Sequence, residues 1–327
     1  MTSITAIRKA ADRIKGHGLS TPLLRSPFID KIAGRRVWVK AECLQITGSF
    51  KFRGGWNAVG ALSDAEKERG VLAYSSGNHA QGVANAAAAH GVDATILMPA
   101  DAPAIKMKNT KALGAKVVTF DRETEDRDEA AARVDPEGAR ILIKPFDNEN
   151  VIAGQGTVGL EIAAQAQSFG IEDATVLVCC GGGGLASGIA LALEECAPNF
   201  KVRPVEPVGF DDVARSLISG KIEENTALSG SAQDAILTKS AGEMTFPILK
   251  RLAGPGLTVS DAETFRAMAL AAQYLHLVIE PGGAAALAAS LYRADDIAGE
   301  DVIITASGGN VDAKLFQQVL KNYGQAT

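Results

Sequence analysis

An α/β fold built on open parallel sheets is predicted for this chain by three features of its sequence. Short runs rich in Val and Ile alternate with Ala-rich segments of helical length over most of the 327 residues. Four of the apolar runs lead into polar or glycine-bearing loops. No internal repeat is visible. A strand followed each time by a helix indicates parallel sheets covered on both faces.

The elements follow in order. VWVKAE (37–42) reads as the first strand. VLAYSS (71–76) leads into the helical GNHAQGVANAAAAHG, and ATILMP (94–99) into APAIKMKNTKALG. KVVTF (116–120) precedes the charge-rich stretch 121–138, whose composition is that of a solvated helix and turn. The helical VGLEIAAQAQSFG comes before TVLVCC (175–180), which enters LASGIALALEECAP. KVRPVEP (201–207) and DVIITAS (301–307) are the last strands of the series. No Pro/Gly/Ser linker divides the chain, so two domains would require more than one crossing between them.

Composition narrows the function. Hydrophobic content of 46% and charged content of 22% are those of a soluble globular protein. With 33 basic and 38 acidic residues the net charge is −5, and no Lys/Arg block points to nucleic acid. No apolar run reaches the roughly 18–20 residues a bilayer requires, and the N-terminus lacks the apolar core of a signal peptide. The four cysteines (Cys43, Cys179, Cys180, Cys196) lack metal-site spacing, and reduced thiols in a cytoplasm are expected. The four histidines form no HExxH pattern, which argues against a zinc hydrolase.

Ligands of doubly wound sheets bind at the carboxyl ends of strands. The loops there are SSGNH, GGGGLASG, the Glu206 region and SGGNVD. Gly181, Gly182, Gly183, Gly184 and Leu185 follow a strand and open a helix, a backbone that can approach an anion closely and present unpaired N–H groups to it. A phosphate is the natural guest. Gly181, Gly183 and Ala186 also satisfy G-x-G-x-x-A, with Glu206 twenty residues on, so a nicotinamide dehydrogenase is a rival for this loop. That rival leaves GSFKFRGG (48–55) and SSGNH unexplained. Lys51, between Phe50 and Phe52, sits where apolar rings would disfavour its ammonium form and suit a Schiff base. A lysine, a phosphate loop and no metal motif together suggest pyridoxal phosphate.

On these residues the sequence resembles the fold-type II pyridoxal-phosphate enzymes (tryptophan synthase β-like), in particular serine/threonine dehydratases and serine racemases. TGSFKFRGGWNA (47–58), SSGNHAQGVA (75–84), VIAGQGT (151–157), GGGGLASG (181–188), VEP (205–207), EPGGA (280–284) and SGGNVD (307–312) match the family's motifs in order. The resemblance covers nearly the whole chain and displaces the dehydrogenase. It implies two open parallel-sheet domains with the cofactor in the cleft: a large one of residues 1–62 and 147–327, and an inserted one of 63–146 carrying the substrate loop.

The resemblance also implies roles. Lys51 carries the cofactor and then acts as base at Cα. Phe50 packs on the cofactor ring, Asn78 bonds its 3-oxygen, and Glu280 lies near it. Gly181 to Leu185 hold the phosphate, and Ser307 meets the pyridine nitrogen. Ser75, Gly77, Asn78 and His79 grip the substrate carboxylate. Ser76 matches the serine that serves racemases as the acid/base on the opposite face. A neutral serine at 307 cannot keep the pyridine nitrogen protonated, which favours loss of a β-hydroxyl over transamination.

The expected activity is therefore that of an ammonia-lyase converting a β-hydroxy amino acid such as L-threonine or L-serine to a 2-oxo acid and ammonia. The alternatives are an amino-acid racemase, or a dehydratase for hydroxyaspartate, an aryl-serine or an ectoine-pathway intermediate.

In related enzymes the glutamate matching Glu206, a carbonyl matching Phe210 and an acid matching Asp212 bind a divalent cation, and oxygen ligands of this kind suit Mg²⁺. The competing reading is a strand-end glutamate with Asp211 or Asp212 capping a helix.

The chain departs from the family at Lys144-Pro145, where several members carry His-Pro, and at 233–246, which leaves the substrate open. Arg127 falls near a racemase arginine but in a charge-rich stretch. With the chain ending at 327, a catabolic enzyme without the regulatory domain of biosynthetic threonine dehydratases is expected. A homodimer is expected from the relatives.

Overall fold

The computed structural model describes residues 2–75, 77–121, 124–125, 127–227 and 229–324, without the side chains of Arg127 and Asp128. The strands are β1 (Leu23–Arg25), β2 (Arg36–Lys40), β3 (Val71–Tyr74), β4 (Ala94–Pro99), β5 (Lys116–Phe120), β6 (Ile141–Leu142), β7 (Thr175–Cys179), β8 (Lys201–Pro207), β9 (Leu257–Val259) and β10 (Asp301–Thr305). The helices are α1 (Ile4–Ile14), α2 (Pro27–Ala33), α3 (Lys51–Gly60), α4 (Asp64–Arg69), α5 (Asn78–His90), α6 (Ala104–Ala112), α7 (Arg127–Val134), α8 (Glu149–Ser168), α9 (Gly184–Cys196), α10 (Asp212–Ser219), α11 (Thr245–Leu252), α12 (Asp261–Tyr274), α13 (Pro281–Tyr292) and α14 (Ala313–Tyr323).

Two sheets result, with orders β1-β2-β10-β7-β8-β9 and β5-β4-β3-β6. Every pairing is parallel except β1 with β2. Alternation along the strands of the larger sheet sends Val37, Val39, Leu177, Val302 and Ile304 to one face, where they meet α12 and α13. Trp38, Val176, Val178 and Ile303 point to the other, against α8 and α9. Both faces are thus covered, as the apolar strands predict. Helix α13, almost wholly small and apolar, is buried along its length beneath this sheet. On the smaller sheet, Val71, Ala73, Ile96 and Met98 pack with Phe52, Trp56 and Val59 of α3 and with Ala80, Val83 and Ala84 of α5.

Several predicted strands end early. The first stops at Lys40 because Glu42–Leu44 forms a 3-10 turn that sends the Glu42 carboxylate inward. Those beginning at 71, 175 and 301 stop at Tyr74, Cys179 and Thr305, so that their last predicted residues become the loops that build the site.

Candidate active site

Lys51 is the first residue of α3 and is fixed on both sides. Ahead of it, Ser49 bridges to Gly308 and the Phe50 N–H donates to the Ser307 carbonyl at 3.1 Å. Behind it, Arg53 is buried in a network of charges. Its Nε and Nη2 donate to the two oxygens of Glu42 at 2.8 Å each, and its Nη1 donates to Glu161 at 2.7 Å. Lys40 Nζ meets the other Glu161 oxygen at 2.6 Å. This network ties α3 to β2 and α8, and so fixes the root of Lys51.

The Lys51 amine donates to the Pro145 carbonyl at 2.8 Å and lies 5.1 Å from the centre of the Phe50 ring. Burial pulls its pKa down from 10.5 to about 8. Beside it His79 is 2% exposed and shares its Nε2 with the Ile143 carbonyl at 2.8 Å. Burial, and secondarily the Lys51 charge, lower its pKa to about 3, so His79 is a neutral ring.

The next residue after Pro145, Phe146, lies against the glycine turn, where a Cβ on Gly182 would collide with its ring. The turn opens α9 with Gly183 at φ 89°, a left-handed conformation that favours glycine. Its carbonyls are tied back: the Gly182 oxygen accepts from Thr245 Oγ1 at 2.7 Å and from the Gly242 N–H at 3.2 Å. A helix start with such a turn has N–H groups that its own backbone cannot satisfy, a fit for a phosphate.

Asn78 starts α5 at the end of β3. Its Nδ2 donates to Glu280 Oε1, and its Oδ1 accepts from Asn310 Nδ2 at 2.9 Å. Ser75 Oγ accepts from the Gly77 N–H at 3.0 Å, which shapes the loop between β3 and α5. Ser307, 4% exposed at the end of β10, donates its N–H to the Gly283 carbonyl. The structure thus brings Phe50, Lys51, His79, Asn78, Glu280 and Ser307 together: Phe50 bonds to Ser307, His79 lies beside Lys51, and Asn78 bonds to Glu280. Ser76 and the Arg127 side chain lie outside the described residues.

The Glu206, Phe210 and Asp212 group lies at and just beyond the end of β8, near enough to the glycine turn for the charges of Glu206 and Asp212 to act on Cys180, whose thiol pKa burial already raises. Glu206, rather than Asp211 or Asp212, caps α10: its two oxygens accept from the Val213 and Ala214 N–H groups at 2.9 and 2.8 Å. Asp212 Oδ1 accepts from Asn225 at 2.6 Å, while its buried Oδ2 has no hydrogen-bond partner. Burial raises both carboxyls, Asp212 to about 6 and Glu206 further, helped by the Asp212 charge. Among the described residues no cluster of three or more His, Cys, Asp or Glu side chains is arranged to hold a metal.

Sequence reasoning missed four members of the cleft. Pro145 and Phe146 sit between Lys51 and the glycine turn, and Asn310 supports Asn78. Lys106 of α6 is 2% exposed, with its Nζ 3.0 Å from both Glu280 and Asp234. Its signal is the spacing of Ala102, Lys106 and Thr110, which puts all three on the buried side.

A family profile described as "Pyridoxal-phosphate dependent enzyme" matches residues 14–308. The chain belongs to this family. It is 40% identical to the L-threo-3-hydroxyaspartate ammonia-lyase of Pseudomonas sp over 98% of its own length and 99% of that protein's. It is 39% identical to the serine racemase of Oryza sativa subsp. indica, over 97% and 93% of the two chains. Its structure matches that of the T.th. threonine deaminase with a TM-score of 0.88 and 42% identity, over 95% and 99% of the two chains. The fold-type II pyridoxal-phosphate architecture is thereby shown.

Proposed function

We propose that this fold-type II pyridoxal-phosphate enzyme is an ammonia-lyase that removes water from a β-hydroxy amino acid such as L-threonine or L-serine, yielding a 2-oxo acid and ammonia. The observation that carries the reading is the buried Lys51 amine, lowered to about 8, set among Phe146 on the glycine turn, Asn78–Glu280 and Ser307. When bound, pyridoxal phosphate supplies the electron sink that acidifies Cα–H. The cofactor residues would be Phe50, Lys51, Asn78, Glu280 and Ser307, with the N–H groups of Gly181, Gly182, Gly183, Gly184 and Leu185 receiving the phosphate.

Lys51 takes the Cα proton, a role that suits an amine titrating near the working pH. Ser75, Gly77, Asn78 and His79 form the carboxylate loop at the start of α5, where the helix dipole favours an anion. Because His79 is neutral and tied to Ile143, it orients this loop rather than contributing charge. The Cα–H and Cβ–O bonds break and water leaves. Hydrolysis of the resulting enamine takes up one water and releases ammonia and the 2-oxo acid. The neutral Ser307 hydroxyl supports elimination, as it offers no carboxylate to hold a proton on the cofactor ring.

Incubation with a panel of β-hydroxy amino acids, with ammonia, 2-oxo acid and D-enantiomer followed together, tests this. Ammonia and 2-oxo acid in equal amounts are expected; D-enantiomer without ammonia would overturn the assignment. Racemisation is the second reading, supported by the serine at 76 and by the 39% identity to a serine racemase.

Residues 63–146, which hold all four strands of the smaller sheet, are proposed to form the inserted domain. A divalent cation such as Mg²⁺ is proposed at Glu206, the Phe210 carbonyl and Asp212, supported by the unpartnered buried Asp212 Oδ2. A homodimer is proposed through the exposed apolar side chains Phe28, Ile32, Leu44, Ile46 and Val278. Cytoplasmic placement is supported by four free cysteines, and no helix among the described residues is long and apolar enough to cross a membrane.

A further inference from the structure

Lys106 is rooted in α6, which belongs to the smaller sheet, yet its charge is spent on the larger half. Its side chain is 2% exposed although Lys108 and Lys111 on the same helix are exposed. The aliphatic stem runs directly over Gly77: a Cβ there would collide with Lys106 Cδ. There is no space beneath the Lys106 stem for a side chain at position 77. Beyond Gly77, Nζ lies 3.0 Å from Asp234 Oδ2 and 3.0 Å from Glu280 Oε2. Asp234 stands in the segment between α10 and α11, and Glu280 immediately precedes α13.

From Glu280 the connection continues. Its other oxygen accepts from Asn78 Nδ2, Asn78 Oδ1 accepts from Asn310 Nδ2, and Asn310 Nδ2 also donates to the Thr47 carbonyl at 2.9 Å, four residues ahead of Lys51. A cavity of about 360 Å³ opens beside this chain of contacts, with Lys106, Asp234, Glu280 and Asn310 in its wall.

We infer that Lys106 is a positioning residue: it straps the α6 side of the cleft to the α13 side across the substrate loop and, through Glu280, fixes the amide of Asn78. The ion pairs join the two sides of the cleft directly, and the stem lies over Gly77 at the start of α5. A lysine suits the task because its slim stem passes over Gly77 while its ammonium meets two carboxylates at once. Losing it would leave the Glu280 carboxylate buried without its counter-charge. Asp234, whose side chain is 36% exposed, can be neutralised with far less cost to folding.

The inference rests on the cleft being the reaction site, so its test has one arm independent of catalysis. Amide hydrogen exchange of the apoprotein is compared for wild type, Lys106→Met, Lys106→Arg and Asp234→Asn. In Lys106→Met, exchange of 77–81 and 104–112 should rise at least tenfold while β7 and β8 keep wild-type rates. Asp234→Asn should show a smaller rise in the same segments, and Lys106→Arg should return part of the protection. In the holoenzyme, both neutralising variants should raise KM severalfold while kcat changes less, the pattern of lost ground-state positioning. Unchanged exchange at 77–81 in Asp234→Asn and Lys106→Met overturns the strap whatever the enzyme's substrate. Faster exchange spread evenly over both sheets overturns it too, as a general loss of stability. If Lys106→Met does not fold, the Asp234→Asn arm decides. Lack of turnover by wild type on every β-hydroxy amino acid would sink the lyase reading and leave the exchange arm standing.

Discussion

Placing a carboxylate next to Lys51 should undo what burial does to its amine. With a pKa of about 8, roughly 9% of the amine is neutral at pH 7; at the ordinary 10.5 only about 0.03% would be, a gain of about 300-fold in the form that attacks an aldehyde. The rate at which the apoprotein captures pyridoxal phosphate should therefore rise about tenfold per pH unit up to about 8 and then level. In Phe50→Glu a carboxylate replaces a ring whose centre lies 5.1 Å from Nζ. At an effective dielectric constant of about 20 the Coulomb energy at that distance is about 3 kcal/mol, or ~2.4 pKa units. Phe50 is only half-buried, and water that reaches it cuts this to ~1 unit. The break should move to ~9, and capture at pH 7 should slow ~10-fold. Stopped-flow mixing of apoprotein with cofactor, followed by its absorbance change, measures this. Above pH ~10 the two proteins should converge, since both amines are then neutral. A variant slowed equally at every pH would refute the reasoning, because the ring would then act only by packing.

Other outcomes follow from the same structure. Arg53→Met leaves Glu42 buried without its partner and should cost about 3–5 kcal/mol of stability, read as a lower urea midpoint at unchanged slope. Gly182→Ala drives a methyl into the Phe146 ring; an overpacking cost of about 1–3 kcal/mol should appear in cofactor affinity and melting temperature. In a thermal-shift assay Mg²⁺ should raise the melting temperature of wild type and leave that of Asp212→Asn unmoved, with chelator reversing the gain.

Much of this was legible in the sequence because the relevant signals are local. Val/Ile runs followed by helical stretches report buried parallel strands, and four consecutive glycines before Leu185 report a helix start shaped for an anion. What the sequence concealed depends on contacts between distant residues. Lys106 sits among Lys108 and Lys111, and composition alone makes all three look solvated; only the folded chain sets it against Gly77, Asp234 and Glu280. Nothing local marks Phe146 until it meets Gly182. Strands β6 and β9, two and three residues long, are too short to show a period. Glu206 could be placed at a strand end from its neighbours, but its capping of α10 from six residues upstream is a tertiary contact that no local capping rule describes.

Three acidic clusters among the described residues are treated differently, and the difference bears on the proposed cation. Glu42 and Glu161 face Arg53 and Lys40, two charges against two. Glu280 shares Lys106 with Asp234. Glu206 and Asp212, both buried, receive only backbone N–H groups and the Asn225 amide, and each carboxyl is driven up by burial. An N-terminal helix end offsets part of one charge, about half a unit, and not two. Arg215 pairs with Asp211 and acts on Asp212 through its charge alone, so the third cluster has weaker built-in compensation than the other two. At neutral pH the Asp212 carboxyl, with a pKa of about 6, is mostly ionised, so the proposed Mg²⁺ would meet a charged ligand there, and Asp212→Asn, which removes that charge, is the variant that tests it.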